Sequence, residues 1–248
     1  MRDPTKDTHD RPAPDETAPD DATIEEAAQG ETGPIISALT SMLACNDLPD
    51  PAPSDPMPLL LAWYEDARKS ERYEDFNAMT LATATPGGLP SARIVLCKAI
   101  EPETPALVFY TSYTSRKGEE LESNPHAAAV FHWPHARRQA RIEGRVRRTT
   151  PEESDAYFKT RPLLSRIGAA ASRQSAAIGS RQDLIAEAVR TARRTLTGQE
   201  LKRPDNWGGY RIVPDRVELW SARTGRLHDR VLWTRSGEGN WTARRLSA

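Results

Sequence analysis

Two neighbouring stretches decide the fold: S-A-R-I-V-L-C-K-A-I (91–100) and L-V-F-Y-T-S-Y-T-S-R-K-G-E-E-L (107–121). Arg93 to Ala99 alternates and is rich in aliphatic and β-branched residues, so it reads as a strand. Side chains switch faces at each step, which puts Ile94, Leu96 and Lys98 on one face and Arg93, Val95 and Cys97 on the other. A cation at each end of an otherwise apolar strand is costly to bury alone, so each should meet an anion. A second strand covers Leu107 to Thr111 and ends in Tyr110-Thr111. Ser115 then reads as the N-cap of a helix running through Arg116, Lys117, Glu120 and Leu121. Backbone N–H groups, a hydroxyl, an Arg and a Lys converge at that helix start, which is what a phosphate monoester needs. The same residues are equally compatible with two core strands and a solvated helix carrying ordinary surface cations.

Outward from this pair, Pro58 to Lys69 is an amphipathic helix with Leu59, Leu60, Trp63 and Ala67 on one stripe. Ala78 to Ala84 is a strand, and P-G-G-L-P turns it into the Arg93 strand. Ala127 to Trp133 and Gln139 to Arg148 follow as strands; the second turns Ala140, Ile142, Gly144 and Val146 inward and its arginines toward solvent. Thr150-Pro151-Glu152-Glu153 is a capping box opening a helix through Tyr157 and Phe158, which Arg161-Pro162 ends. Ser180 with Asp183 caps another helix, to about Leu196. Strands return at Tyr210 to Val213, Arg216 to Trp220, Arg230 to Thr234 and Trp241 to Leu246. Short strands dominate and βαβ spacing is absent. The expected fold is mainly β, an antiparallel barrel of Greek-key type with peripheral helices.

Composition sets the boundaries. Residues 1–55 hold thirteen Asp or Glu against Arg2, Lys6 and Arg11, and eight prolines precede Asp55. Such a segment buries too little apolar surface to offset its ordering entropy and is expected to be mostly disordered, with Ile35 to Cys45 as a short helix at most. The expected domain is therefore residues 56–248, and its basic charge suits phosphorylated ligands or a nucleic-acid patch. No apolar run approaches membrane-spanning length, and the start M-R-D-P-T-K-D lacks a signal h-region. Cys45 and Cys97 are the two cysteines, too few for a disulfide framework, so a cytoplasmic location is expected. The five His lack ligand spacing, so no metal site is expected, and no Gly-rich dinucleotide or nucleoside-triphosphate loop occurs.

Tyr157, Arg161 and Ser165 recur at spacing four, and would share a face if the helix resumed after Pro162. Tyr and Ser hydroxyls with a guanidinium form a second phosphate cradle. Arg173-Gln174-Ser175 lies in a small-residue loop, and alternation would put Arg226, His228 and Arg230 on one strand face. Taken singly these are ordinary surface residues; taken together in one basic domain they favour phosphate handling.

The segments R-I-V-L-C-K (93–98), F-Y-T-S-Y-T-S-R-K (109–117), R-R-Q (137–139), Y-F-K-T-R-P-L-L-S-R-I-G-A (157–169), S-R-Q-S (172–175), W-G-G-Y-R (207–211) and E-L-W-S-A-R-T-G-R-L-H-D-R (218–230) run in order. This series resembles the pyridoxine/pyridoxamine 5′-phosphate oxidase family, from about Asp55 to the C-terminus. The resemblance implies an FMN-binding split barrel acting as a homodimer with FMN at the subunit interface. It implies that Arg93, Arg116, Lys117, Gln174 and Ser175 hold the FMN phosphate and ribityl chain, within a contact strand of Arg93, Ile94, Val95, Leu96, Cys97 and Lys98. Tyr110, Thr111, Gln139, Trp220 and Arg230 would border the rest of the flavin. Lys98, Tyr157, Arg161 and Ser165 would take the substrate phosphate. Arg226 and His228, the catalytic pair in the sense of positioning, would hold the pyridine ring over the flavin beside Leu227. Two departures concern lid closure and substrate fit: the acidic C-N-D-L-P-D-P-A-P-S-D (45–55), where many members are basic and aromatic, and Ala170, where many carry Trp.

The expected activity is FMN-dependent oxidation of pyridoxamine or pyridoxine 5′-phosphate to pyridoxal 5′-phosphate, with oxygen reduced to hydrogen peroxide. Neither nucleic acid nor membrane is an expected partner. Two alternatives share the scaffold: oxidation of another aromatic ring such as a phenazine precursor, and non-catalytic binding of flavin or pyridoxal phosphate.

Overall fold

The computed structural model describes residues 48–70, 75–101, 104–237 and 239–247. The acidic tail and the Ile35 to Cys45 segment lie outside the described residues.

The described chain orders as α1 (Met57–Lys69), β1 (Ala78–Ala84), β2 (Pro90–Glu101), β3 (Ala106–Ser112), α2 (Arg116–Ser123), β4 (His126–Trp133), β5 (Arg138–Arg148), α3 (Pro151–Thr160), α4 (Leu163–Ala171), α5 (Arg181–Leu196), β6 (Trp207–Ser221), a 3₁₀ turn (Thr224–Arg226), β7 (Asp229–Arg235) and β8 (Trp241–Arg245). The sheet order is β3-β2-β1-β4-β5-β6-β7-β8, with β3 also paired to β6. β1 to β3 form a meander and β4 returns beside β1, a Greek key, while the β3–β6 pairing closes six strands into an antiparallel barrel.

β6 explains the split shape. Its first half, Trp207 to Ile212, pairs with β3. Its second half, Arg216 to Ser221, pairs with β7. The two strands expected over 210–213 and 216–220 are thus one 15-residue strand, which bends at a register shift opposite Glu143/Gly144. Gly144 is required at that bend, since a Cβ there would lie 2.0 Å from the Val213 carbonyl oxygen.

Alternation decides what fills the barrel. Ala140, Ile142 and Val146 of β5 meet Phe109, Phe131, Leu81, Ile212, Val217 and Leu219 in one buried cluster. The packed body reaches further toward the N-terminus than residue 56. Leu48 is fully buried, and the Trp233 indole donates to the Pro53 carbonyl at 2.8 Å. Composition concealed this, because two anchoring contacts inside a Pro- and Asp-rich stretch leave its average polarity unchanged.

α3 is fixed to the barrel by charge. Its capping box holds as expected, with Thr150 and Glu153 exchanging side-chain to backbone hydrogen bonds. Glu153 then accepts two hydrogen bonds from Arg211 on β6, at 2.8 and 2.6 Å, and Arg211 also donates twice to Glu101 at the end of β2, at 2.9 and 3.0 Å. The Arg211 guanidinium beside Glu153, followed by the Thr150 amide, holds that carboxyl down to about 2. Arg211→Met is expected to cost about 1–3 kcal/mol of unfolding free energy near neutral pH, because two carboxylates lose their shared cation. The folded-state pKa of Glu153 is depressed, so this stabilisation is present above pH ~4.5 and fades as pH falls toward ~2. Denaturant titrations of both proteins at neutral and acid pH check it; equal midpoints at neutral pH would contradict it.

Candidate active site

A cleft of roughly 1030 Å³ runs along the outward face of β2, past the start of α2 and under α3 and α4. Arg93, Ile94, Val95, Leu96, Lys98, Tyr110, Thr111, Arg116, Lys117, Tyr157, Arg161, Ser165, Gln174 and Ser175 all line it. Most of the expected site is therefore assembled within one chain. Cys97 is the exception on β2: it is fully buried, its thiol donates to the Ala99 carbonyl, and burial pushes its pKa up to about 12.

The α2 end is built by capping. Ser115 is the N-cap, and its hydroxyl accepts from the Gly118 amide. Gly118 lets the preceding loop fold tightly over this turn, since a Cβ would sit 2.2 Å from the Tyr113 carbonyl oxygen. Lys117 is buried, and its ammonium donates to Thr111 Oγ1, Ser115 Oγ and Gln174 Oε1 at 3.0, 2.9 and 3.0 Å. All three acceptors are neutral. Its hydrogen bonds are satisfied but it makes no ion pair among the described residues; burial first, then the nearby Arg93, hold its pKa down to about 8.

The two arginines at this end are paired instead. Glu120, one turn after Arg116, is buried and accepts from Arg116 Nε at 2.9 Å and from Arg93 Nη2 at 3.4 Å. Ser91 and Thr83 hydroxyls donate to the same carboxylate at 2.6 and 2.5 Å. Burial alone would raise the Glu120 pKa, but the hydrogen bonds from Ser91, Thr83 and Arg116 outweigh it and hold it at about 2. The sequence placed Glu120 on this helix without a role; its i+4 spacing from Arg116 was the available signal.

At the other end of the cleft the cations make no such pair among the described residues. Arg93 met an anion as expected, but Lys98 has no ion pair among the described residues. Partial burial, and then Arg161, hold Lys98 below the usual lysine range, and burial holds Arg161 below its own. Arg161 Nη1 is buried without a hydrogen-bond partner. The helix does resume after Pro162 as α4, so Tyr157, Arg161 and Ser165 line the cleft together. Lys98 and Arg161 thus bring two cations to this end of the cleft with no ion pair among the described residues, an arrangement suited to an anion.

Six expected site residues lie elsewhere in the chain. Gln139 faces Trp220 in the β5–β6 register, and Trp220 faces Arg230 in the β6–β7 register. Arg230 is ion-paired to Glu218 at 2.9 Å. Arg226, His228 and Arg230 do not share a strand face, because Gly225 and Arg226 take positive φ in the 3₁₀ turn and only Arg230 is on β7. The His228 ring packs on Trp220 at 4.7 Å between centroids, and its Nδ1 accepts from the Arg223 amide at 3.2 Å. A neutral His228 therefore carries its proton on Nε2, free to donate. Exposed Leu227 completes this group.

The donor set suits a phosphorylated flavin at its phosphate end: two guanidinium groups, a buried ammonium, hydroxyls and a helix N-terminus meet there.

A family model described as pyridoxamine 5′-phosphate oxidase matches residues 66–193, and one described as the pyridoxine 5′-phosphate oxidase C-terminal dimerisation region matches residues 207–248. The pyridoxine/pyridoxamine 5′-phosphate oxidase of Paraburkholderia phymatum is 51% identical over 185 residues, covering 75% of this chain and 85% of that protein. The enzyme of the same name from Rubrobacter xylanophilus is 48% identical over 197 residues, covering 79% and 88%. Among solved structures, PhzG from Burkholderia lata 383, in complex with tetrahydrophenazine-1-carboxylic acid, superposes with a TM-score of 0.74 at 32% identity, covering 80% of this chain and 95% of that one. On the match of the family model and of these relatives, the chain belongs to the pyridoxamine 5′-phosphate oxidase family.

Proposed function

We propose that this protein oxidises pyridoxamine 5′-phosphate or pyridoxine 5′-phosphate to pyridoxal 5′-phosphate with FMN as cofactor and oxygen as final acceptor. The observation that carries this reading is the division of one cleft into two cationic ends. At one end Glu120 already neutralises part of the charge; at the other Lys98 and Arg161 make no ion pair among the described residues. One cofactor phosphate and one substrate phosphate answer that arrangement.

FMN, when bound, supplies the hydride acceptor and, through oxygen, the route to hydrogen peroxide. The chain's own residues bind, orient and exclude water. Arg93, Arg116, Lys117, Gln174 and Ser175 would hold the cofactor phosphate and ribityl chain; Ile94, Val95, Leu96, Tyr110 and Thr111 would give it an apolar and hydroxyl wall. Lys98, Tyr157, Arg161 and Ser165 would fix the substrate by its phosphate, so that distant binding energy orients the reacting carbon. Gln139, Trp220, Arg226, Leu227, His228 and Arg230 would complete the site from a second copy of the chain. That proposal draws support from the dimerisation region, which covers all of these but Gln139. His228 Nε2–H would donate to the substrate ring, and Arg226 would lie over it. Among the described residues no helix is long and apolar enough to cross a membrane, and a cytoplasmic setting belongs to the same proposal.

The cofactor assignment has a pH signature. Lys117 is charged below about 8 and a phosphate dianion favours that charged form, so FMN affinity should fall as pH rises through about 8. Between pH 7 and 9.5 the loss should be about tenfold or more, and Lys117→Met should flatten it. Riboflavin, lacking the phosphate, should bind orders of magnitude more weakly than FMN, from ~1.5–3 kcal/mol per lost charged hydrogen bond. Flavin fluorescence titrations check all three; equal affinity for FMN and riboflavin would remove the assignment.

The substrate assignment is tested at Lys98 and Arg161. Alanine at either should lower kcat/KM for pyridoxamine 5′-phosphate by about 10- to 100-fold relative to unphosphorylated pyridoxamine. Equal losses on both substrates would mean that the two cations serve the flavin or the fold.

A further inference from the structure

We infer that Trp207 is the positioning residue that aims Arg161 at the substrate phosphate, and so sets the preference for phosphorylated over unphosphorylated substrate; this rests on the phosphate reading of the cleft. Trp207 opens β6, is 7% exposed and borders the cleft. The Arg161 guanidinium carbon stands 4.7 Å from its ring centroid, within range of a cation–π contact. Tyr110 and Tyr157 extend the shelf: their rings stack at 3.8 Å and lie within 15° and 6° of the Trp207 plane.

This mode of holding an arginine differs from the one at the other end of the cleft. A carboxylate partner, as Glu120 is for Arg116 through Nε, fixes a guanidinium but uses its charge and part of its donor set. An aromatic face fixes the plane and leaves the edge donors free. Arg161 makes no ion pair among the described residues, and its Nη1 is buried with no acceptor. A donor stripped of water and left unmatched is costly unless a ligand supplies the acceptor.

The backbone around Trp207 is shaped for this contact. Arg161 caps the C-terminus of α3 in extended conformation ahead of Pro162, which sets where its side chain leaves the helix. Gly208 lets Ser154 of α3 and the Tyr113 ring approach β6, and Gly209 does the same for Thr149, just before α3, and for Tyr110. A Cβ at Gly208 would be 1.9 Å from the Tyr113 hydroxyl and 2.8 Å from Ser154 Oγ; at Gly209 it would be 2.8 Å from Tyr110 Cε1. The Gly209 amide donates instead to Ser154 Oγ at 3.2 Å. A side chain at Gly208 would press on Tyr113 and on Ser154 of α3, the helix that ends at Arg161.

The test uses the FMN-loaded enzyme with Trp207→Leu, which removes the ring, and Trp207→Phe, which keeps a smaller one. Steady-state kinetics are read on pyridoxamine 5′-phosphate and on pyridoxamine, with the FMN dissociation constant as an independent readout. For Trp207→Leu the ratio of kcat/KM between the two substrates should fall about tenfold, mainly through KM for the phosphorylated one, without a matching change in FMN affinity. Trp207→Phe should fall about threefold, a partial rescue. If Trp207→Leu does not fold, the threefold shift in Trp207→Phe decides alone. Loss of activity in equal proportion on both substrates, or a wild-type ratio in both variants, would overturn the inference and leave Trp207 as packing. A wild-type enzyme indifferent to the phosphate would instead overturn the parent reading, and this inference with it.

Discussion

Closure of the barrel through β3 and β6 is the constraint on which the remaining structure depends. Leu107 to Ser112 lie against Ile212 to Trp207 in antiparallel register, so Tyr110 is opposite Gly209 and Thr111 opposite Gly208. That register brings the end of β3, with Thr111 and the α2 cap just beyond it, beside the start of β6, which carries Trp207. It also leaves room at Gly208 for Ser154 of α3. A shift by one residue would turn Tyr110 and Thr111 to the wrong faces and separate the two phosphate-type clusters.

Charge is divided rather than merely accumulated along the cleft. Glu120 takes up Arg93 and Arg116 and is itself held ionised by Ser91, Thr83 and Arg116. This arrangement lets two guanidinium groups share a small volume before any ligand arrives. Among the described residues Lys117 donates to neutral acceptors alone, and neither Lys98 nor Arg161 makes an ion pair. The anion affinity of the cleft should therefore be graded, with the Lys98 and Arg161 end most dependent on the ligand's own charge.

Much of this was legible in the sequence, for local reasons. Ser115, Thr150 with Glu153, and Ser180 each announced a helix start by side-chain chemistry that acts over three residues, and each cap is present. Strict alternation in 93–99 and 140–146 sorted faces correctly. The failures were non-local. The bend in β6 opposite Gly144 hid one long strand behind Pro214 and Asp215, and Leu48 looked solvated because its burial depends on strands nearly two hundred residues away. Positive φ at Gly225 and Arg226 broke the alternation expected for Arg226, His228 and Arg230. Glu120 and Trp207 looked like a helix-face acid and a motif aromatic; only the fold shows which arginines they hold.

The central claim is a flavin reduced by a substrate that is recognised through its phosphate. Anaerobic mixing of the FMN-loaded protein with pyridoxamine 5′-phosphate, followed by the visible absorbance of the flavin, tests this most directly. The account predicts saturable bleaching by the phosphorylated amine, and at least about tenfold higher concentrations of pyridoxamine for the same rate. Absorbance that pyridoxamine 5′-phosphate leaves unchanged, or that both amines bleach alike, would contradict it.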